Sequence, residues 1–183
     1  MNKIFRHIIG YTIGILIFCI LIPLALIELS RLFDKYVADH FIQNYSVRLY
    51  IASPVFLIGL LWGIWSNVVL FFIGKGGPTD GFNVAVSPRT ERLVIAGPYK
   101  YSRNPMVFGA LAAYLGLSIY FNSLLCIALI ILGFFVVRYY LKITEEKRLY
   151  KDFGNVYLEY KKRVPMIIPR PAGMKKQYIQ QPV

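Results

Sequence analysis

Four stretches of the chain are almost continuously apolar and are separated by polar segments. They occupy residues 8–29, 50–73, 106–121 and 123–141, and only Asn122 separates the last two. The first two are long enough for a helix to cross the hydrocarbon core of a bilayer, and the last two are just long enough. The pattern predicts about four transmembrane helices, of which the last two form a tight antiparallel hairpin.

The pattern becomes amphipathic after residue 141. We expect a helix over residues 144–153 that ends at Gly154, and a second over residues 155–164 that ends at Pro165. Aromatic or apolar side chains recur there every three or four residues: Tyr150, Phe153, Tyr157, Tyr160 and Val164. This stripe is interpreted as packing on the bundle or at lipid headgroups, or as lining a cofactor pocket. The predicted fold is an all-α integral membrane protein with an amphipathic C-terminal helical segment.

The same pattern divides the chain into two parts. Residues 1–73 hold two transmembrane helices joined by an extracytoplasmic loop at 30–49. Residues 74–183 form the predicted core, with a cytoplasmic loop at 74–104, the helical hairpin at 105–141 and a cytoplasmic tail at 142–183. The loop at 74–104 is long and rich in glycine, and we expect it to fold over a site.

Composition and charge agree with a membrane location. Hydrophobic residues make up 57% of the chain and charged residues 16%, against about 45–50% and 25% in an average soluble protein. The net charge of +12 does not indicate nucleic-acid binding, because the basic residues flank the apolar stretches. In this topology 18 lysines and arginines lie on one side and 3 on the other, which predicts that both termini are cytoplasmic.

Few polar residues interrupt the apolar stretches. Asn67 is the one strong polar residue in the second, and we expect it to hydrogen-bond to a neighbouring helix. No ionisable residue lies deep in a span, which disfavours a transporter. Glu145 and Glu146 do not indicate a metal site, because no histidine or cysteine lies near them in the sequence.

Two polar clusters are predicted to meet at the cytoplasmic face. The first is the rigid turn at residues 97–106, which contains Tyr99, Arg103, Asn104 and Pro105. The second follows the last apolar stretch and contains Arg138, Lys142, Glu145 and Glu146, which share a face if the helix continues without a break. Carboxylates beside cations and tyrosines suit a zwitterion that carries a ribose, such as S-adenosylmethionine. The alternative is that Glu145 and Glu146 are a solvated pair among lysines and arginines.

The chain resembles known membrane methyltransferases. Residues 92–106, the hairpin, and then Glu145-Glu146, Phe153-Gly154, Tyr157, Glu159-Tyr160, Val164 and Pro169 resemble the isoprenylcysteine carboxyl methyltransferase and phospholipid methyltransferase families. The resemblance covers about residues 80–170 and leaves out the first two spans. It implies a membrane enzyme that takes a methyl group from S-adenosylmethionine at the cytoplasmic side.

The resemblance also implies roles for individual residues. Leu93 and Val94 are expected to approach the cofactor through their backbone, Tyr99 and Pro105 to line its pocket, and Glu145 to bind its polar end. Arg103 and Asn104 complete the predicted cofactor-binding set. Relatives have a histidine at the position of Asn104, and an amide can donate a hydrogen bond but cannot carry charge.

Three further residues are the predicted catalytic groups. Methyl transfer from a sulfonium requires mainly alignment and exclusion of water. Arg138, Lys142 and also Arg103 are candidates to position a carboxylate acceptor. Glu146 is the candidate base for an amine acceptor. We expect a lipophilic acceptor that enters from the bilayer, as in the isoprenylcysteine enzymes. The alternatives are a phospholipid or amine N-methyltransferase, and a non-enzymatic membrane scaffold that kept the fold.

Overall fold

The computed structural model describes residues 3–36, 41–77, 80–81, 84–85 and 90–170. Parts of the predicted loop at 74–104 and the end of the predicted tail, residues 171–183, lie outside these ranges. The regular secondary structure of the described residues is helical apart from a short antiparallel pairing of Asp80–Gly81 with Val84–Ala85. Three of its helical segments are long and apolar enough to cross a membrane: Ile4–Tyr36, Tyr45–Gly74 and Leu124–Ile143.

The first of these segments contains a change of helix type. Helix α1, Lys3–Gly14, passes through a π-helical stretch, Ile15–Leu21, into helix α2, Ile22–Phe33, and a short 3-10 turn, Asp34–Tyr36. Pro23 lies at the start of α2. Proline has no N–H to donate and its ring crowds the carbonyl four residues earlier, so a wider turn before it relieves the clash.

The second segment is helix α3, Tyr45–Val69, extended by a π-helical turn, Leu70–Gly74. The prediction that Asn67 bonds to a neighbouring helix is wrong. Its side-chain amide donates to the carbonyl of Gly63, four residues earlier in the same helix, at 2.9 Å. A short polar side chain reaches that carbonyl without a partner helix.

Helix α4, Pro105–Phe121, packs closely along α3. A Cβ added at Gly109 would lie 2.6 Å from the backbone nitrogen of Gly63, and one added at Gly116 would lie 2.6 Å from that of Phe56. Glycine at these positions therefore allows the two backbones to touch. At 17 residues α4 is shorter than the three candidate spans, and the total of four crossings remains a prediction.

The predicted hairpin is confirmed. Asn122 adopts a left-handed conformation between α4 and helix α5, Leu124–Ile143, and the Ser123 hydroxyl caps α5 by accepting from the Cys126 amide. Asn122 also exchanges two hydrogen bonds with the backbone of Ile42, and Ser123 donates to Asp34 at 2.9 Å. Asp34, after α2, and Ile42, before α3, therefore lie at the same end of the bundle as the hairpin turn.

Helix α6, Glu145–Arg163, follows α5 after a distorted residue, Thr144, with φ −112° and ψ −68°. A helix that continues without a break was the condition for Arg138 and Lys142 to share a face with the glutamates, and that condition is not met. The predicted break at Gly154 is confirmed, since its φ of +54° and ψ of −131° are not helical. Glycine reaches this conformation without the steric cost that a Cβ imposes.

Candidate functional site

The turn before α4 is held by residues that follow α6. Residues 164–170, here called the C-terminal strap, run beside residues 101–104. The amides of Arg103 and Asn104 donate to the carbonyls of Pro165 and Met166 at 2.9 and 3.0 Å, and Arg170 donates back to Tyr101 at 3.1 Å. The loop that precedes α4 is therefore ordered by residues more than sixty positions away.

Side chains add to this attachment. The buried hydroxyl of Ser102 donates to the carbonyl of Ile167 at 2.7 Å, and the hydroxyl of Tyr160 donates to that of Tyr99 at 2.6 Å. Tyr157, Tyr160 and Val164 form a buried cluster with Leu93, Ile95, Leu149 and Phe153 packed against it. Most of the predicted aromatic stripe thus packs inward, whereas Tyr150 is exposed.

A cavity of about 170 Å³ lies where this turn meets the end of α3 and the start of α6. Its lining is largely apolar and includes several polar side chains. The lining residues are Leu70, Gly77, Thr90, Arg92, Leu93, Val94, Tyr99, Arg103, Asn104, Pro105, Met106, Val107, Glu145, Arg148, Leu149, Phe153 and Tyr160. Small-molecule pockets are commonly about 300 Å³ or larger. The cavity is therefore suited to hold one end of a larger ligand.

Glu145 is the one carboxyl among the described residues that line the cavity. Burial raises the pKa of its carboxyl to about 7, because desolvation disfavours the charged form. Its nearest charged partner in the described chain is Arg148, at 3.8 Å, which is beyond hydrogen-bond distance. The pKa of Arg148 is lowered, also by desolvation. Glu145 therefore has acceptor capacity available for a ligand cation or donor.

Glu146, the next residue, lies in a different environment. Its side chain is 7% exposed, Oε1 accepts from Arg103, and Oε2 accepts from Lys161 at 2.6 Å. Arg103 also donates to the hydroxyl of Tyr157 at 2.9 Å and, through Nε, to the carbonyl of Val164 at 3.0 Å. Both oxygens of Glu146 are engaged within the protein.

The structure brings together all seven residues of the predicted cofactor-binding set. These residues all line the cavity: Leu93, Val94, Tyr99, Arg103, Asn104, Pro105 and Glu145. The side-chain amide of Asn104 also donates to Met166 at 3.0 Å, so one of its two N–H groups holds the strap. Their roles toward a ligand remain predictions.

The three predicted catalytic residues are not brought into this cavity. Arg138 and Lys142 lie on α5, are exposed, and are absent from the lining. Thr144 interrupts the helix between these two residues and Glu145. Glu146 faces Arg103 and Lys161 instead of the cavity. Direct contact of these three side chains with a ligand in the cavity has no support in this arrangement.

Several lining residues were not among the predicted site residues. Arg92 and Arg148 add positive charge, and Leu70 belongs to the π-helical turn after α3. Arg148 is three residues after Glu145, the spacing at which helical side chains become neighbours. That spacing is the signal that could have identified it. Arg92 and Leu70 have no comparable signal, because only the tertiary fold places them at the cavity.

Comparison with known proteins identifies the family. A family model described as phospholipid methyltransferase matches residues 47–156, more than half of the chain. The match begins near the start of α3, so the family likeness extends further toward the N-terminus than the expected residues 80–170. No curated protein and no solved structure matches the chain. The chain belongs to the phospholipid methyltransferase family.

Proposed function

We propose that the protein is a membrane methyltransferase that uses S-adenosylmethionine and acts on a lipophilic acceptor. The observation that carries the proposal is Glu145, which lines a largely apolar cavity and has no hydrogen-bond partner in the described chain, in a protein of the phospholipid methyltransferase family. The orientation with both termini cytoplasmic is part of the proposal. It would open the cavity toward the soluble cofactor.

The lining residues fit one end of this cofactor. The ammonium group of its amino-acid end can donate to Glu145, and the carboxylate can approach Arg92 or Arg148. Leu93, Val94 and Phe153 offer apolar surface to the rest of that end. The cofactor supplies a methyl group on a positively charged sulfur, and the protein's part is to bind, align and exclude water.

A carboxylate acceptor, as in the isoprenylcysteine enzymes, is the acceptor class that we favour. Arginines 92 and 148 at the cavity would attract an anionic group, and a carboxylate needs no base because it is ionised at neutral pH. This matters because Glu146, the candidate base, is engaged by Arg103 and Lys161. Both partners would have to release it before it could accept a proton.

An amine acceptor is the second candidate, and the description of the matched family favours it. In that case the proton of the amine must be removed. Glu145, with a pKa of about 7, would be a suitable acceptor for that proton. With a carboxylate acceptor Glu145 only binds the cofactor, whereas with an amine acceptor it would also accept a proton.

Two measurements test the proposal. Calorimetry with S-adenosylhomocysteine should detect binding to the purified wild type and to the surface variant Glu159→Gln, with a loss of about tenfold or more in Glu145→Gln, since a charge-assisted hydrogen bond contributes roughly 1.5–3 kcal/mol. A folded wild type that does not bind would favour the scaffold alternative. Membranes incubated with methyl-labelled cofactor then separate the acceptors, because an ester label is released by base and an N-methyl label is retained.

A further inference from the structure

The ion pair between Arg103 and Glu146 lies beside the cavity but joins parts of the protein to each other. We propose that Arg103 and Glu146 are positioning residues that clamp the C-terminal strap against the turn before α4, and that Glu146 takes no part in proton transfer. The proposal rests on the proposed function only for its ligand-binding measurement. The clamp itself can be measured without a ligand.

The contacts of Arg103 carry the first step. Its side chain is 7% exposed, and it reaches three separate structural partners: Glu146 at the start of α6, Tyr157 near its middle, and the carbonyl of Val164 at the start of the strap. A guanidinium presents its donors in a fixed planar fork, so these contacts set the relative positions of all three partners. A lysine in this place could not reproduce them.

Glu146 is held from both sides. One oxygen accepts from Arg103, on the turn before α4, and the other accepts from Lys161, near the end of α6. Lys161 lies three residues before Val164, where the strap begins. Glu146 therefore links the two ends of α6 to the turn. Its side chain is only 7% exposed. Removal of its charge leaves Arg103 buried without its counter-ion.

The other bonds of the strap join it to the same turn that the clamp reaches. Val164 and Ile167 are buried, and the backbone bonds of Arg103, Asn104 and Arg170 join the two segments. Arg103 and Asn104 also line the cavity. A strap that loosens would therefore change the cavity wall, even though the strap residues themselves are absent from the lining.

Hydrogen exchange of the full-length protein in detergent tests the clamp. In Glu146→Gln we expect peptides that cover residues 101–104 and 166–170 to exchange at least about fivefold faster, because local opening exposes the amides that join them. Glu159→Gln removes a carboxylate that pairs with Lys162 and Arg163 on the surface of the same helix, and it should leave both peptides unchanged. Equal exchange in Glu146→Gln and wild type would overturn the clamp.

A milder variant covers the case in which Glu146→Gln does not fold. Lys161 is 44% exposed, so Lys161→Met removes one partner of Glu146 from a partly solvated position. It should accelerate exchange of the same two peptides by a smaller factor. No acceleration in a folded Lys161→Met protein would equally overturn the proposal.

Ligand binding tests the second half of the proposal. Glu146→Gln should weaken binding of S-adenosylhomocysteine and keep the pH dependence that the wild type shows near pH 7, whereas Glu145→Gln should lose that dependence. A flat pH profile in Glu146→Gln would show that Glu146 is the titrating group and would overturn the assignment. If the wild type binds no S-adenosylhomocysteine, the proposed function fails, and the exchange experiment still decides the clamp.

Discussion

Glu145 and Glu146 are adjacent in the sequence, yet Glu145 lines the cavity while Glu146 is bound by Arg103 and Lys161. Successive residues on a helix point about 100° apart, so a helix at a boundary gives two neighbours different surroundings. One carboxyl remains available to a ligand, and the other holds the protein together. The resemblance to methyltransferases assigns cofactor binding to Glu145, and it gives no structural role to Glu146.

The affinity for S-adenosylhomocysteine should depend on pH through Glu145. With a pKa of about 7, its carboxyl is mostly ionised at pH 8 and mostly protonated at pH 6. If the ligand's ammonium binds only the ionised form, the affinity falls about tenfold from pH 8 to pH 6. Calorimetry at several pH values would measure this, and a wild-type affinity that is constant across this range would contradict it.

The ligand-free protein should show the opposite pH response in its stability. The pKa of Glu145 is raised from 4.5 to about 7 in the fold, so the folded state binds more protons between these values and the contribution of this group declines as pH rises through them. Glu145→Gln should therefore be more stable than wild type at pH 8, by at most about 3.4 kcal/mol. Near pH 4.5 the difference should disappear. Thermal unfolding in detergent at both pH values provides the measurement.

The close approach of α3 and α4 should make Gly116 intolerant of a side chain. In Gly116→Ala the new methyl group would lie 2.6 Å from the backbone nitrogen of Phe56, so the helices must separate, at a cost of about 1–3 kcal/mol. Gly133→Ala is the matched control, because a Cβ at Gly133 meets no atom within 4 Å. We expect a lower unfolding temperature only in Gly116→Ala. Equal temperatures would mean that this contact is not tight.

The hydrogen bond from Tyr160 to the carbonyl of Tyr99 should contribute to both stability and binding. Tyr160→Phe removes the donor, leaves a buried carbonyl without this partner and should destabilise the protein by about 1–3 kcal/mol. Ligand affinity should fall as well, because both tyrosines line the cavity. Tyr150→Phe, at an exposed position of the same helix, should change neither property. A thermal shift assay with and without S-adenosylhomocysteine would separate the two effects.

Local signals in the sequence determined much of the architecture. Apolar length predicted the long helices, the separation of two apolar stretches by Asn122 alone predicted the hairpin, and Gly154 predicted the break in α6. Each depends on a residue and its immediate neighbours, which is why no tertiary information was needed. The resemblance likewise supplied a set of seven residues that the fold assembles around one cavity.

Only the tertiary structure decided which charged side chains reach that cavity. Arg138 and Lys142 share a face with Glu145 only if the helix continues without a break, and the structure interrupts the helix at Thr144. Arg92 lines the cavity, whereas Glu146 does not and instead accepts a hydrogen bond from Arg103. Both placements depend on contacts between residues far apart in the sequence. Helical periodicity gives the direction of a side chain only within one helix, so the relative placement of the turn, α6 and the strap depended on the folded chain.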